Sequence, residues 1–89
     1  MRTAARRDTN ERTIIDHLEA AGCEVMQLSA RGCADLLVFK PSNGLLRLIE
    51  VKRPKGKLTE AQAAAFPRWP VWVCRTPAQA LEAMGCVTV

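Results

Sequence analysis

The chain has 89 residues, of which 48% are hydrophobic and 25% are charged. This composition predicts a single folded domain over residues 1–89 and excludes an intrinsically disordered chain. No apolar run is long enough to span a membrane, and no hydrophobic stretch follows the arginines near the N-terminus. We therefore expect a cytoplasmic protein without a signal peptide or a membrane anchor.

The charge of the chain is positive and unevenly distributed. The formal net charge is +4 and the isoelectric point is near 9.2. The basic residues cluster near the N-terminus (Arg2, Arg6, Arg7 and Arg12) and in one later segment (Lys52, Arg53, Lys55 and Lys57). Clustered cations suit a phosphate backbone, although a solvated basic surface is the simpler interpretation of the N-terminal arginines alone.

The four cysteines do not form a metal-binding pattern. Cys23, Cys33, Cys74 and Cys86 are widely spaced, without a Cys-x-x-Cys pair, and the chain has one histidine. A zinc site is therefore not expected, and we predict reduced thiols that are mostly buried.

The first predicted element is a helix over residues 8–21, with Asp8 as its N-cap and Gly22 just past its end. Its apolar stripe consists of Ile14, Ile15 and Leu18. Glu11 belongs to the same stripe by its spacing. It therefore either points toward the sheet or closes a capping box with Asp8.

A first strand is predicted over residues 23–28 and leads through a polar turn toward Asp35. Gly32 in this turn would permit a left-handed conformation or the close approach of a phosphate to the backbone. Arg31 beside it either contacts nucleic acid or is solvated.

The next two strands form a predicted β-hairpin, because residues 35–40 and 45–52 are apolar and a Pro-Ser-Asn-Gly segment separates them. If the loop comprises residues 42–43 or 41–44, Asp35 lies opposite Glu50. If residues 43–44 form a type I′ turn, Asp35 lies opposite Lys52. Either register places all three side chains on one face of the sheet, whereas a loop of odd length would separate them.

Carboxylates in such an apolar setting need a partner. Cross-strand neighbours have Cβ atoms about 4.5–5.5 Å apart, and like charges there destabilise a hairpin. The flanking residues on both faces are apolar, as in central strands that are covered on both sides. Mg²⁺ or Mn²⁺ would hold both Asp35 and Glu50, and Lys52 could orient a water or help to deprotonate it. A structural ion pair between Asp35 and Lys52 is the alternative.

A second helix is predicted to open at a capping box formed by Thr59 and Gln62, and to stop before Pro67. This cap gives Gln62 a structural role as an alternative to any role in a site.

A fourth strand is predicted over residues 71–74, followed by a last helix that Thr76 caps and Gly85 ends. We expect Trp72 in the core. Trp69 is either another core residue or an exposed contact for a partner subunit or a base. The predicted order of elements is α-β-β-β-α-β-α.

Asp35, followed after a hairpin by Glu50-Val51-Lys52, resembles the PD-(D/E)XK nuclease pattern. Residues 49–62 (IEVKRPKGKLTEAQ) resemble its VRR-NUC (virus-type replication-repair nuclease) family. The resemblance covers nearly the whole chain. It implies a restriction-endonuclease-like α/β core, in which helices flank a mixed β-sheet. Ala34 stands where the family pattern has proline, which predicts a looser turn rather than lost chemistry.

The resemblance also implies roles for individual residues. The metal ligands would be Asp35, Glu50 and the Val51 carbonyl, with Glu11 as a further ligand. The catalytic residues would be Asp35, Glu50, Lys52 and Gln62. Separately, charge and backbone geometry predict nucleic-acid contacts at Arg31, Gly32, Arg53, Lys55 and Lys57.

These observations predict a Mg²⁺- or Mn²⁺-dependent DNA endonuclease. The resemblance implies products with 5′-phosphate and 3′-hydroxyl ends. Family members of this minimal size resemble junction-resolving enzymes, so we expect a bacterial or phage-encoded homodimer that acts in DNA repair on branched DNA, with four-way junctions favoured. A non-catalytic, basic nucleic-acid-binding module with a nuclease-like fold is the alternative.

Overall fold

The computed structural model describes residues 9–30 and 32–86, so the predicted N-cap Asp8 and the N-terminal arginines before it lie outside the described residues. The order of elements is the predicted α-β-β-β-α-β-α. In chain order they are α1 (Thr9–Ala20), β1 (Glu24–Gln27), β2 (Leu36–Lys40), β3 (Leu45–Val51), α2 (Glu60–Ala65), β4 (Val71–Cys74) and α3 (Pro77–Ala83). A short 3-10 turn (Phe66–Arg68) follows α2.

The strands form one mixed sheet in the order β1-β2-β3-β4. The first three strands are antiparallel neighbours, and β4 is parallel to β3 because the connection between them crosses over through α2. This arrangement confirms the predicted α/β fold and is consistent with a restriction-endonuclease-like core.

The β2–β3 hairpin has the register that a loop over residues 41–44 requires. Lys40 pairs with Leu45, and the Gly44 amide donates a hydrogen bond to the Lys40 carbonyl over 2.8 Å. At the other end of the hairpin Leu36 pairs with Ile49. Continuing this register by one residue places Asp35 opposite Glu50.

The core lies on one face of the sheet, between the strands and the pair α1 and α3. Alternation along the strands directs Leu36, Val38 and Ile49 to this face, and each of these side chains is fully buried. The residues that pack on them from the helices are Ile14, Ile15, Leu18, Ala80, Ala83 and Met84. Burying each large aliphatic side chain contributes about 1.5–3 kcal/mol to folding.

The opposite face is only partly covered, so the prediction that the central strands are buried on both sides is wrong. Met26, Phe39 and Leu46 are 61%, 40% and 58% exposed. The helix on this side, α2, has six residues and is therefore about 9 Å long. It covers the end of the sheet near Glu50 and is too short to reach the hairpin turn.

Both tryptophans are exposed. The expectation that Trp72 lies in the core is therefore wrong, and so is the alternative that placed Trp69 there. Trp72 is 44% exposed in the edge strand β4, and the Arg47 guanidinium lies over its ring at 5.4 Å from the centroid. Trp69 is 62% exposed in the segment between the 3-10 turn and β4.

All four cysteines are free thiols, as predicted, but only Cys23 and Cys74 are buried, whereas Cys33 and Cys86 are partly exposed. Burial raises the pKa of the Cys74 thiol to about 11. In the described residues, no helix has the length and apolar character that a membrane crossing requires.

Candidate active site

Asp35 and Glu50 meet where the β2–β3 hairpin opens. Asp35 directly precedes β2, and its Oδ2 atom accepts a hydrogen bond from the Val51 amide over 2.8 Å. This bond holds the Asp35 carboxylate at the last residue of β3, next in the chain to Glu50. The hairpin register and this backbone contact together bring the two predicted acids to one place.

Glu50 is the most buried charged residue in the described chain, at 1% exposure. Burial, and after it the charge of Asp35, raises the pKa of the Glu50 carboxyl, against the opposing effect of hydrogen bonds from Lys52 and Gln62. Its Oε1 atom is buried and has no hydrogen-bond partner in residues 9–30 and 32–86. A buried polar atom without a partner costs about 1–3 kcal/mol. The site therefore favours a ligand that neutralises negative charge.

Lys52 pairs with Glu50 rather than with Asp35. Its Nζ atom lies 3.1 Å from Glu50 Oε2, and the side chains are 15% and 2% exposed. The two residues are separated by one position in the chain, so their side chains leave the strand on the same side. The alternative to a metal site, a structural ion pair between Asp35 and Lys52, is therefore not the ion pair that forms.

Gln62 caps α2 and also contacts Glu50, so the cap does not exclude the predicted role in the site. Its Oε1 atom accepts a hydrogen bond from the Thr59 amide over 3.0 Å, and its own amide donates to Thr59 Oγ1, which completes the capping box of α2. Its Nε2 atom donates to Glu50 Oε2 over 2.8 Å. Because the Thr59 amide can only donate, the cap fixes which end of the Gln62 side chain faces Glu50.

Glu11 points toward the sheet, which is one of its two predicted alternatives, while the other, a capping box with Asp8, involves a residue outside the described ones. It is 6% exposed, and its Oε2 atom accepts a hydrogen bond from Gln27 Nε2 in β1 over 3.2 Å. Gln27 pairs with Leu36 and so shares the core face, whereas Glu50 points to the opposite face.

No group of three His, Cys, Asp or Glu side chains within residues 9–30 and 32–86 is close enough to hold a metal ion. Among these residues, no third side chain of this kind joins the pair formed by Asp35 and Glu50. The roles of Glu11 and of the Val51 carbonyl as metal ligands stay predictions.

The basic loop, defined as residues 53–57, is separated from β3 by Lys52 alone and carries three of the predicted nucleic-acid contacts. Arg53, Lys55 and Lys57 are all exposed. The loop turns tightly, since the Gly56 amide donates to the Arg53 carbonyl over 2.9 Å. A Cβ atom on Gly56 would lie 3.2 Å from Arg53 N, so the turn leaves little room for a side chain.

Two residues that the sequence did not identify support this loop and the end of β3. Arg75 donates from one guanidinium nitrogen to the carbonyls of Arg53 and Gly56, each over 2.7 Å. Asn10 donates to the carbonyls of Lys52 and Arg75 over 3.0 and 3.3 Å. Their partners are main-chain carbonyls distant in the chain, which leave no pattern in the sequence. The run of charge and turn residues at 53–57 indicated the loop but not its anchor.

Gly32 has a positive φ of 74°, which confirms the left-handed turn. A Cβ atom there would meet Ala61 at 3.6 Å, an ordinary contact distance, so the turn rather than crowding selects glycine. Arg31, the remaining predicted nucleic-acid contact, lies outside the described residues.

A divalent cation fits this arrangement chemically. Asp35 and Glu50 supply hard oxygen donors, and Glu50 Oε1 is a buried acceptor that the described residues leave unsatisfied. A positive ion would also relieve the repulsion that contributes to the raised pKa of Glu50.

The family model of the VRR-NUC domain matches residues 4–68 of the sequence, which include α1, the hairpin, the basic loop and α2. The chain belongs to the VRR-NUC family. Membership gives this chain a nuclease-type function and, with it, the binding of DNA. The comparisons with curated proteins and with solved structures gave no match. The VRR-NUC match ends before β4, so Arg75 lies beyond the matched part.

Proposed function

We propose that this VRR-NUC domain is a Mg²⁺- or Mn²⁺-dependent DNA endonuclease. The observation that supports it best is Glu50, a carboxylate that is 1% exposed, stands beside Asp35 and has one oxygen without a partner in the described residues. A purely structural charge in this position would be expected to have both oxygens satisfied. Asp35, Glu50 and the Val51 carbonyl would hold the cation, with Glu11 as the proposed further ligand.

When bound, the metal ion would supply Lewis-acid polarisation of the scissile phosphate and a lower pKa for an attacking water. The residues of the chain would prepare the site for it. Gln62 and Lys52 both engage Glu50 Oε2, which leaves Oε1 available to a cation. Lys52 would hold the attacking water by donating a hydrogen bond to it, or assist in removing its proton.

The exposed cations of the basic loop would bind the DNA backbone next to these residues. Arg53, Lys55 and Lys57 follow Lys52 within five positions, so phosphates held by the loop would lie close to the carboxylates. Contacts to phosphates carry no direct information on base sequence. We therefore propose selectivity for DNA structure, with branched DNA and four-way junctions as substrates.

The active form would be a homodimer, since symmetric cutting of two strands requires two copies of a single site. The uncovered apolar patch formed by Met26, Phe39 and Leu46 supports this assembly.

The test is a cleavage panel of duplex, flap, splayed and four-way DNA with Mg²⁺, Mn²⁺ or EDTA. We expect cleavage with either metal, none with EDTA, and the highest rate on four-way DNA. Asp35→Asn and Glu50→Gln should each lower the rate by more than about 100-fold. The matched control is Asp16→Asn, which changes a carboxylate that is 60% exposed on α1.

Binding of every substrate without cleavage in both metals would instead identify a non-catalytic nucleic-acid-binding module. Equal rates on the four substrates would contradict the proposed preference for branched DNA, while leaving the nuclease activity in place.

A further inference from the structure

An apolar cleft of about 300 Å³ opens beside the carboxylate pair. It is lined chiefly by Gly32, Ala34, Leu48, Phe66, Trp69 and Val71. Phe66 is 8% exposed and forms a buried part of the wall, whereas Trp69 is 62% exposed at the end of the 3-10 turn. The cleft therefore combines a buried apolar surface with an accessible aromatic ring.

The cleft is continuous with the candidate active site. Ala34 directly precedes Asp35, and Leu48 precedes Glu50 by two positions and points to the same face of β3. A strand rises about 3.3 Å per residue, so the Cα atoms of Leu48 and Glu50 are about 7 Å apart along β3. A nucleotide with its phosphate at the carboxylate pair would thus have its base, or that of its neighbour, within reach of the cleft.

Size and charge favour a nucleobase as the occupant. A volume of about 300 Å³ lies at the lower end of the range of small-molecule sites, so the cleft has room for one small group rather than for a folded partner. The exposed Arg68 next to Trp69 and the basic loop beyond Lys52 suit a ligand that carries phosphates. An exposed aromatic ring among cations is the arrangement by which proteins stack unpaired bases.

We propose that this cleft binds an unpaired nucleobase of the DNA held at Asp35 and Glu50, with Trp69 stacking on the base. The inference rests on the proposed function and deepens it, because it names an unpaired nucleotide near the scissile phosphate as the feature of branched DNA that the domain recognises. In fully paired duplex the bases are stacked on one another and must leave the helix to reach such a cleft.

The test compares binding of two single strands of equal length, an oligothymidine and a strand that is abasic at every nucleotide, with Ca²⁺ in place of the proposed metals. Both strands have the same phosphates, so the ratio of their dissociation constants reports on the bases alone. We expect the wild-type protein to bind oligothymidine about 5- to 150-fold more tightly, the range that corresponds to base stacking on an aromatic side chain.

Trp69→Ala should reduce this ratio to near one, and Trp69→Phe should retain most of it. Trp72→Ala is the matched control, since it removes the other exposed tryptophan from the opposite face of the sheet and should leave the ratio unchanged. In the Trp72→Phe protein, the fluorescence of Trp69 should be quenched by oligothymidine and not by the abasic strand. Circular dichroism melting of each variant verifies that the fold is retained.

A ratio near one in the wild-type protein, or a ratio that Trp69→Ala leaves unchanged, would overturn the proposal. So would a change of oligomeric state on Trp69→Ala in sedimentation experiments, because it would assign the ring to an interface between copies. Failure of the nuclease proposal is separately visible: no substrate would be cut with Mg²⁺ or Mn²⁺, while the ratio would still depend on Trp69.

Discussion

Two helices of this domain begin with the same Thr-x-x-Gln sequence and use it differently. In α2, Gln62 and Thr59 exchange hydrogen bonds in a capping box, and the remaining amide nitrogen of Gln62 donates to Glu50. In α3, the Gln79 amide donates to Thr76 Oγ1 over 3.1 Å, and its Oε1 atom accepts from the Arg75 amide over 2.6 Å. The Gln62 side chain of the first cap therefore also contacts a buried carboxylate, whereas the Gln79 side chain of the second contacts the backbone amide of Arg75, just after β4.

A cap residue can therefore also contact a candidate site residue when a charged group lies within its reach. Both glutamines stabilise a helix start, which is worth about 1 kcal/mol for a capping interaction. Only Gln62 has a donor that reaches a predicted metal ligand. Gln79 in α3 is therefore the matched control for substitutions of Gln62 in α2.

The largest effect is expected from removing the Lys52 ammonium group, which forms an ion pair with Glu50 in the metal-free protein. Lys52→Met would leave the Glu50 carboxylate buried beside Asp35 without its ion pair, and breaking a buried pair in this way costs about 3 kcal/mol or more. Chemical denaturation should show this loss at neutral pH. Lys55→Met, in the exposed basic loop, should change stability by less than about 0.5 kcal/mol. Equal stabilities of the two variants would contradict the account.

The same substitution at Gln62 and at Gln79 distinguishes the functions of the two caps. Glutamate at either position preserves the cap, since its oxygen still accepts from the backbone. In Gln62→Glu a donor to Glu50 becomes a third negative charge, and we expect cleavage to fall by about 10- to 100-fold. Gln79→Glu should leave the rate within about twofold, as expected for a position away from the site. Steady-state cleavage rates with Mg²⁺ measure both, and similar losses in the two variants would break the comparison.

Arg75 connects the second cap to the basic loop. Arg75→Ala removes two hydrogen bonds to the loop, each worth about 0.5–1.5 kcal/mol, and should weaken DNA binding by about 3- to 10-fold through disorder of the loop. Because Arg75 would not touch the reacting atoms, the loss should appear in KM and not in kcat. Arg75→Lys, which keeps one charge and one donor group, should restore part of the affinity. An equal fall in kcat would contradict this role.

A smaller effect is expected from pH. Burial, and after it the charge of Asp35, raises the pKa of Glu50 in the folded protein, so protonation of Glu50 favours folding. This stability is fully present below the ordinary glutamate pKa of about 4.3 and is lost as the pH rises through the raised value. Glu50→Gln imitates the protonated form, so its metal-free melting temperature should exceed that of the wild type at pH 8. The two should converge near pH 4, and a lower melting temperature of the variant at pH 8 would contradict the assignment.

Much of the fold followed from local patterns. The caps at Thr59 and Thr76, the strand over residues 71–74 and the hairpin were predictable because each depends on residues close in the chain. The register was reduced to two choices, and the loop conformation between Lys40 and Leu45 decided between them. The exposure of Met26, Phe39 and Leu46 was not predicted, because the burial of this face depends on the length of α2. The apolar sequences of the strands contain no information on that length.

The juxtaposition of the candidate site residues was predictable where strand alternation determines it and not where tertiary contacts do. That Asp35, Glu50 and Lys52 lie close together followed from the hairpin register. The two roles of Gln62 were treated as alternatives, although an amide has two ends and the structure uses both. Arg75 was not found because its partners are the backbone carbonyls of Arg53 and Gly56, which any residue would provide.

The proposed nuclease activity requires that Asp35 and Glu50 share one divalent cation. The decisive measurement is anomalous diffraction from crystals soaked in Mn²⁺. We expect an anomalous peak within coordination distance of an oxygen of each carboxylate, with Oε1 as the Glu50 ligand, and its loss in Glu50→Gln crystals soaked in the same way. A wild-type crystal at saturating Mn²⁺ with no peak between these carboxylates, or with a peak that persists in Glu50→Gln, would contradict the account.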